Sequence, residues 1–221
     1  SLTSWVSCES VTIDLESYGR FSPKLDLSRT VGWFTALYPV ALSFRTESTL
    51  SENLKSIQSQ LKAVPHEGIS YGLLCYMNNC DAVDNNLEVS EKLLQVAPPI
   101  SFNYLGQLTT TSAAGFKRIE LPESCRNTHQ SLNNHRAHLI DVNSWIEAGE
   151  LKVVWTFSQH LHTEAVIEKL ATQFIQNLSA LIDYCCTQEN VEYAPEDFGL
   201  AQLDSSALAS VLSQVSFATA D

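Results

Sequence analysis

Few side chains among these 221 residues have both the chemistry and the spacing to act on a substrate. Of the six histidines, His160 and His162 flank Leu161, so in a strand they would share one face. A metal site needs further ligands, and no carboxylate or cysteine completes the set, so the pair reads as a strand-to-helix junction. His135 and His138 likewise have no partner in sequence, and His66 and His129 stand alone. The six cysteines (Cys8, Cys75, Cys80, Cys125, Cys185 and Cys186) form neither a CxxC pair nor a short secreted disulfide framework. Adjacent Cys185 and Cys186 fall in a helical pattern, where small buried thiols are common. The remaining candidate is a carboxylate. Residues 11–16 (VTIDLE) alternate with period two, so Val11, Ile13 and Leu15 point one way and Thr12, Asp14 and Glu16 the other. One face meets a core; the other meets water or a cleft, and Glu16 lies on it.

The elements that must hold these groups are legible in outline. After a loop with Gly19 and Pro23, residues 31–44 are rich in β-branched and aromatic residues and read as a strand, Pro39 included. Leu50, Leu54, Ile57 and Leu61 recur at helical spacing behind Ser48 or Thr49 as N-cap, and Pro65 stops that helix. Residues 68–77 (GISYGLLCYM) lean to a short helix, and 78–91 to a loop. Pro98-Pro99 introduces a short strand over 100–105 (ISFNYL). Residues 107–135 read as long loops holding one weak strand. Residues 138–142 and 151–157 read as two strands joined across Ala148-Gly149, a hairpin signal. The clearest helix spans 163–187, with Val166, Ile167, Leu170, Phe174, Leu178, Leu181 and Ile182 as its apolar stripe. Trp33, Phe34 and Tyr38 read as core. The implied class is α/β, one unit over residues 1–190 followed by a looser, weakly helical tail over 191–221 that reads as an inter-domain linker.

Composition narrows the function. A formal charge of −12, from 13 basic and 25 acidic residues, argues against gripping phosphate backbones, so no nucleic acid is expected. No apolar run reaches the roughly 20 residues of a membrane span, and no signal peptide opens the chain, so a cytoplasmic home without membrane attachment is expected.

Four segments then carry a resemblance. Residues 28–39 (SRTVGWFTALYP) match an RTVGWFT motif with its following tyrosine-proline. Residues 65–72 (PHEGISYG) resemble PxxGxGYG, residues 102–107 (FNYLGQ) match FNYLG, and residues 16–21 (ESYGRF) resemble EGHGRE, departing at Ser17, Tyr18 and Phe21. Residues 139–162 follow the same pattern. In this order they resemble the epimerization domains of non-ribosomal peptide synthetases, relatives of the condensation domains. The superfamily's HHxxxDG motif is absent, since no histidine is doubled. The resemblance therefore implies the C-terminal subdomain of a chloramphenicol acetyltransferase-like α/β fold, a mixed β-sheet with packed helices, whose N-terminal subdomain with HHxxxDG would lie upstream.

The chemistry this resemblance implies is inversion at the α-carbon of an aminoacyl or peptidyl thioester. No cofactor is bound directly; the substrate rides the phosphopantetheine of a peptidyl carrier domain, with neighbouring synthetase domains as further partners. A proton leaves one face and returns to the other, which two groups on opposite sides do most simply. The family supplies a histidine on one half and a glutamate on the other, here Glu16, whose pKa should be raised toward about 6–7 by partial desolvation. Asn103 and Tyr104 are the donors expected at the developing enolate oxygen, reaching one cavity together only if a bulge or strand end intervenes. Arg20 either binds substrate charge or fixes its loop. No metal is implied. Two other readings stay open: a condensation-domain half forming amide bonds, or a degenerate platform for carrier docking.

Overall fold

A computed structural model of the protein describes residues 1–6, 8–20, 25–77, 98–108, 134–187 and 205–214. Five strands, β1 (Ser10–Ser17), β2 (Ala36–Ser43), β3 (Ile100–Leu108), β4 (Ile140–Glu147) and β5 (Glu150–Phe157), form one sheet in the order β2-β1-β3-β4-β5. The β1–β2 and β4–β5 pairs are antiparallel; β1–β3 and β3–β4 are parallel. The mixed sheet arises because hairpin-like connections join the outer pairs while the parallel strands are reached by long crossovers. Helices α1 (Leu2–Val6), α2 (Leu50–Lys62), α3 (Ile69–Met77), α4 (Glu164–Thr187) and α5 (Ser205–Gln214) complete the described chain.

The alternation expected of 11–16 holds across the whole sheet. Ile13, Ile100, Ile140 and Val142 point to one face and form the core with Ile167 of α4. Leu170 of α4 is almost fully buried too. Phe174, one turn on, meets Phe102 at 6.4 Å and Trp155 at 6.0 Å between ring centroids. This burial of large apolar side chains is the main force holding α4 to the sheet. The other face carries Asp14 and Glu16, then Ser101 and Asn103, then Asp141 and Asn143, in register across β1, β3 and β4.

Several boundaries move. The strand read over 31–44 begins only at Ala36, because residues 31–35 form a loop tied down by other contacts. Pro39 stays in β2 because that strand lies at the edge of the described sheet, where a missing N–H breaks no second ladder. The strand read as 100–105 continues to Leu108 through a bulge. The strand read as 138–142 spans Ile140–Glu147; its later residues look mixed in sequence because one face is core and the other polar. Ala148 (φ 52°) and Gly149 (φ 81°) do make the expected tight hairpin, both left-handed as a type I′ turn requires. Trp33, read as core, is instead 90% exposed. Cys185 and Cys186 are exposed on α4, beyond its buried stretch. The expected loop over 78–91 and nearly all of the 107–135 segment lie outside the described residues, as do 188–204 of the tail; Leu208 of α5 is buried. No described helix is long and apolar enough to cross a membrane.

Helix α2 starts where its sequence says. Thr49 accepts the Glu52 N–H at 3.3 Å, and the Glu52 carboxylate accepts the Thr49 N–H at 2.8 Å, a complete capping box. Thr49→Ala removes one half of it. A loss of about 1 kcal/mol in unfolding free energy is expected, read as a lower urea midpoint of the domain with unchanged slope.

Candidate functional site

Glu16 and Asn103 are 87 residues apart in sequence, yet the Asn103 side-chain amide donates to the Glu16 carboxylate at 2.8 Å. The parallel β1–β3 pairing makes this contact. Asp14 is registered with Ser101 and Leu15 with Phe102, so the next side chains on the polar face, 16 and 103, fall beside each other. The Ser144 hydroxyl donates to the Asn103 carbonyl at 3.2 Å and steadies that residue from β4.

Tyr104 is not brought to the same place. The register of β3 on β4 shifts between Tyr104 and Gln107, so Leu105 and Gly106 stand opposite Trp145. The bulge falls after Tyr104, which still pairs regularly with Ser144. Asn103 and Tyr104 therefore keep opposite faces, and Tyr104 is half exposed on the side away from Glu16.

Glu16 is followed at once by a brace that the motif resemblance did not explain. The Ser17 hydroxyl donates to the Glu67 carbonyl at 2.8 Å, tying the end of β1 to the 65–68 turn. In that turn His66 and Glu67 hold positive φ, an arrangement that persists only when its surroundings over-determine it. Gly68 supplies part of that: its φ is +84°, and a Cβ there would lie 1.9 Å from the Tyr38 ring. Gly19 does the same for the other loop. With φ +65°, its added Cβ would lie 1.5 Å from the Phe34 carbonyl oxygen. Arg20 donates through Nη1 to the carbonyls of Leu27 at 2.6 Å and Thr30 at 2.8 Å, and its guanidinium stacks 4.2 Å from the Phe34 ring centroid. Of its two expected roles, these contacts fill the loop-fixing one, through backbone carbonyls rather than an ion pair. The ESYGR, RTVGWFT and PHEG segments thus form one interlocked frame around the end of β1.

Beneath Glu16 lies a cluster the sequence reading missed. His138, read as partnerless, places Nε2 2.7 Å from Asp14 Oδ2 and Nδ1 3.2 Å from Asp141 Oδ1. Asp14 and His138 are both buried. Ser101 donates to Asp141 at 2.7 Å, and Arg136 bonds Asp141 and the Thr156 carbonyl. Both ring nitrogens of His138 face carboxylates, and among the described residues no cluster able to hold a metal is present. The only signal in sequence was the R-x-H-x-x-D spacing of Arg136, His138 and Asp141, which nothing local distinguishes from a surface run.

The Glu16 carboxyl is raised above its ordinary value, chiefly because the packed sheet removes water from it, and the positive field of His138 opposes the rise. The direction is the one expected of a proton carrier, although the side chain remains exposed on the polar face.

Residues 1–203 match the condensation-domain family. The chain belongs to that family. A linear gramicidin synthase from Brevibacillus parabrevis is 38% identical over 92% of this condensation-family chain, which spans 3% of that protein. The epimerization domain from the third module of tyrocidine synthetase B superposes with TM-score 0.69 at 30% identity, over 85% of this chain and 40% of that one. The starter condensation domain of rhizomide synthetase shares the fold, at TM-score 0.53 and 14% identity, over 82% of this chain and 39% of that one. The condensation-family chain therefore spans well under half of its solved neighbours. Its architecture is the chloramphenicol acetyltransferase-like mixed sheet with packed helices, and its relatives are peptide synthetases.

Two outcomes follow from this geometry. Gly19→Ala pushes a methyl into a backbone oxygen and cannot relieve the positive φ, so a loss of more than about 2 kcal/mol in domain stability is expected, measured by urea unfolding. Glu16→Gln is expected to do the reverse. A carboxyl raised in the folded state favours folding only while protonated, and that contribution is lost as pH rises from the ordinary glutamate range through the raised value. At pH 7 the Gln variant should melt at or above the wild-type temperature, and the difference should vanish below pH 4. A variant less stable at pH 7 would contradict the raised value.

Proposed function

We propose that this condensation-family domain is part of an epimerization domain, with Glu16 as one of its two proton carriers. The observation that carries the reading is the Glu16–Asn103 hydrogen bond on the open polar face. Support comes also from the FNYLG and RTVGWFT segments and from the 30% identity to the epimerization domain of tyrocidine synthetase B.

In this reading the substrate is an aminoacyl or peptidyl thioester on the phosphopantetheine arm of a carrier domain. The thioester carbonyl acidifies the α-proton. Glu16, with its proton affinity raised by desolvation, takes that proton on one face or returns it. The other face is served by the histidine of an HHxxxDG motif, which this chain does not contain, so the chain by itself is inactive. The Asn103 amide has two N–H bonds. One orients the carboxylate; the other, with no acceptor among the described residues, donates to the enolate oxygen as charge grows there. Arg20 belongs to the supporting frame in this scheme, and Tyr104 acts from the far side of β3 through packing.

The match to the condensation-domain family favours a second reading, amide-bond formation between two carrier-bound substrates. One experiment separates them. In the complete domain with a carrier-bound thioester in deuterated water, the epimerase reading expects α-deuterium wash-in and a mixed D/L product, and Glu16→Gln should slow wash-in at least about 100-fold. Unchanged wash-in in that variant removes Glu16 from the chemistry. Dipeptide formation without wash-in supports condensation, and neither activity in the wild type supports a carrier-docking platform.

A further inference from the structure

The Asp14–His138–Asp141 cluster lies on the same polar face as Glu16, and the scheme above makes no use of it. Asp14 and Glu16 are two residues apart on β1, which places their side chains about 7 Å apart on one face. His138 spans from the segment before β4 across β3 to reach Asp14 on β1, at 2.7 Å. Its backbone neighbours are held as well: the N–H groups of Leu139 and Ile140 both donate to the Pro99 carbonyl, at 2.7 and 3.2 Å. The imidazole is thus fixed from both sides.

The charges facing His138 come from every strand packed against it. β1 contributes Asp14 and Glu16, and β4 contributes Asp141, to which Ser101 of β3 donates. Arg136 covers the outer side, bonding Asp141, the His138 carbonyl and the Thr156 carbonyl of β5. The edge strand β2 places only Pro39 and Leu37 opposite Asp14 and Glu16, with no charge. Three carboxylates therefore share this face with the Arg136 guanidinium and the His138 imidazole. Arg136 bonds Asp141, away from β1, whereas His138 reaches the strand that bears Glu16.

We propose that His138 is a positioning residue for Glu16: clamped between Asp14 and Asp141, it locks β1 across β3 to β4 and holds its imidazole on the polar face that bears the carboxylate. A buried Asp14 without it would be an unpaired negative charge next to the site. The field of His138 opposes protonation of Glu16, and a carboxylate two residues away on the same strand acts with the opposite sign.

The inference rests on the epimerase reading, and its test keeps the two apart. The pH profile of kcat/KM for α-deuterium exchange is measured in the complete domain for wild type, His138→Gln, Asp14→Asn and Glu16→Gln. Removing the imidazole should move the acid limb up by roughly 0.5–1.5 pH units, and removing Asp14 should move it down. A merely structural role lowers the rate without moving the limb. Limbs that stay in place, or move the same way in both variants, overturn the proposal, provided Glu16→Gln abolishes exchange. Exchange that survives Glu16→Gln refutes the epimerase reading itself. Should one of the two variants fail to fold, the sign of the other's shift decides.

Discussion

The short parallel ladder between β1 and β3 is the constraint on which the rest depends. Only two registered pairs, Asp14 with Ser101 and Leu15 with Phe102, join these strands among the described residues. That register alone puts residue 16 beside residue 103 rather than on the opposite face. A slip of one residue would send Glu16 into the core and Leu15 onto the polar face, with every apolar side chain of β1 reversed. The apolar face under α4 forbids the slip, because Ile13 would lose its place among Ile100, Ile140 and Ile167.

So brief a ladder needs reinforcement from outside the backbone. On the polar side, the Asp14–His138 contact bridges over β3 and holds β1 to the β4 side of the sheet. At the C-terminal end of β1, Ser17 is tied to the 65–68 turn and Gly19 lies against Phe34. Each brace is a hydrogen bond, a close approach or a histidine–carboxylate contact rather than simple burial, so each tolerates few residue types. This gives a physical reason for the glycines and the arginine in the segments flanking Glu16: they shape the frame around the end of β1.

The two faces of the sheet divide the labour. One face buries isoleucine, valine and aromatic side chains against α4 and supplies stability. The other keeps carboxylates, amides and an imidazole in a partly desolvated layer, where charges interact strongly and proton affinities move. An ionised Glu16 in that layer opposes folding slightly at neutral pH, because partial desolvation disfavours its charge.

Much of this was legible in the sequence. Period-two alternation in residues 11–16 showed which side chains share Glu16's face, Ser48 or Thr49 as N-cap marked the start of α2, and the apolar stripe of 163–187 marked the helix that covers the core. Those features are local, decided by residues a turn or a pleat apart. The tertiary structure decided what depends on long-range register: that Asn103 rather than Tyr104 meets Glu16, that Arg20 grips its own loop, that Trp33 lies in solvent, and that His138 has two carboxylate partners. The partner of His138 on β1 is 124 positions away, and strand order sets which distant side chains meet, a choice no local pattern of residue types encodes.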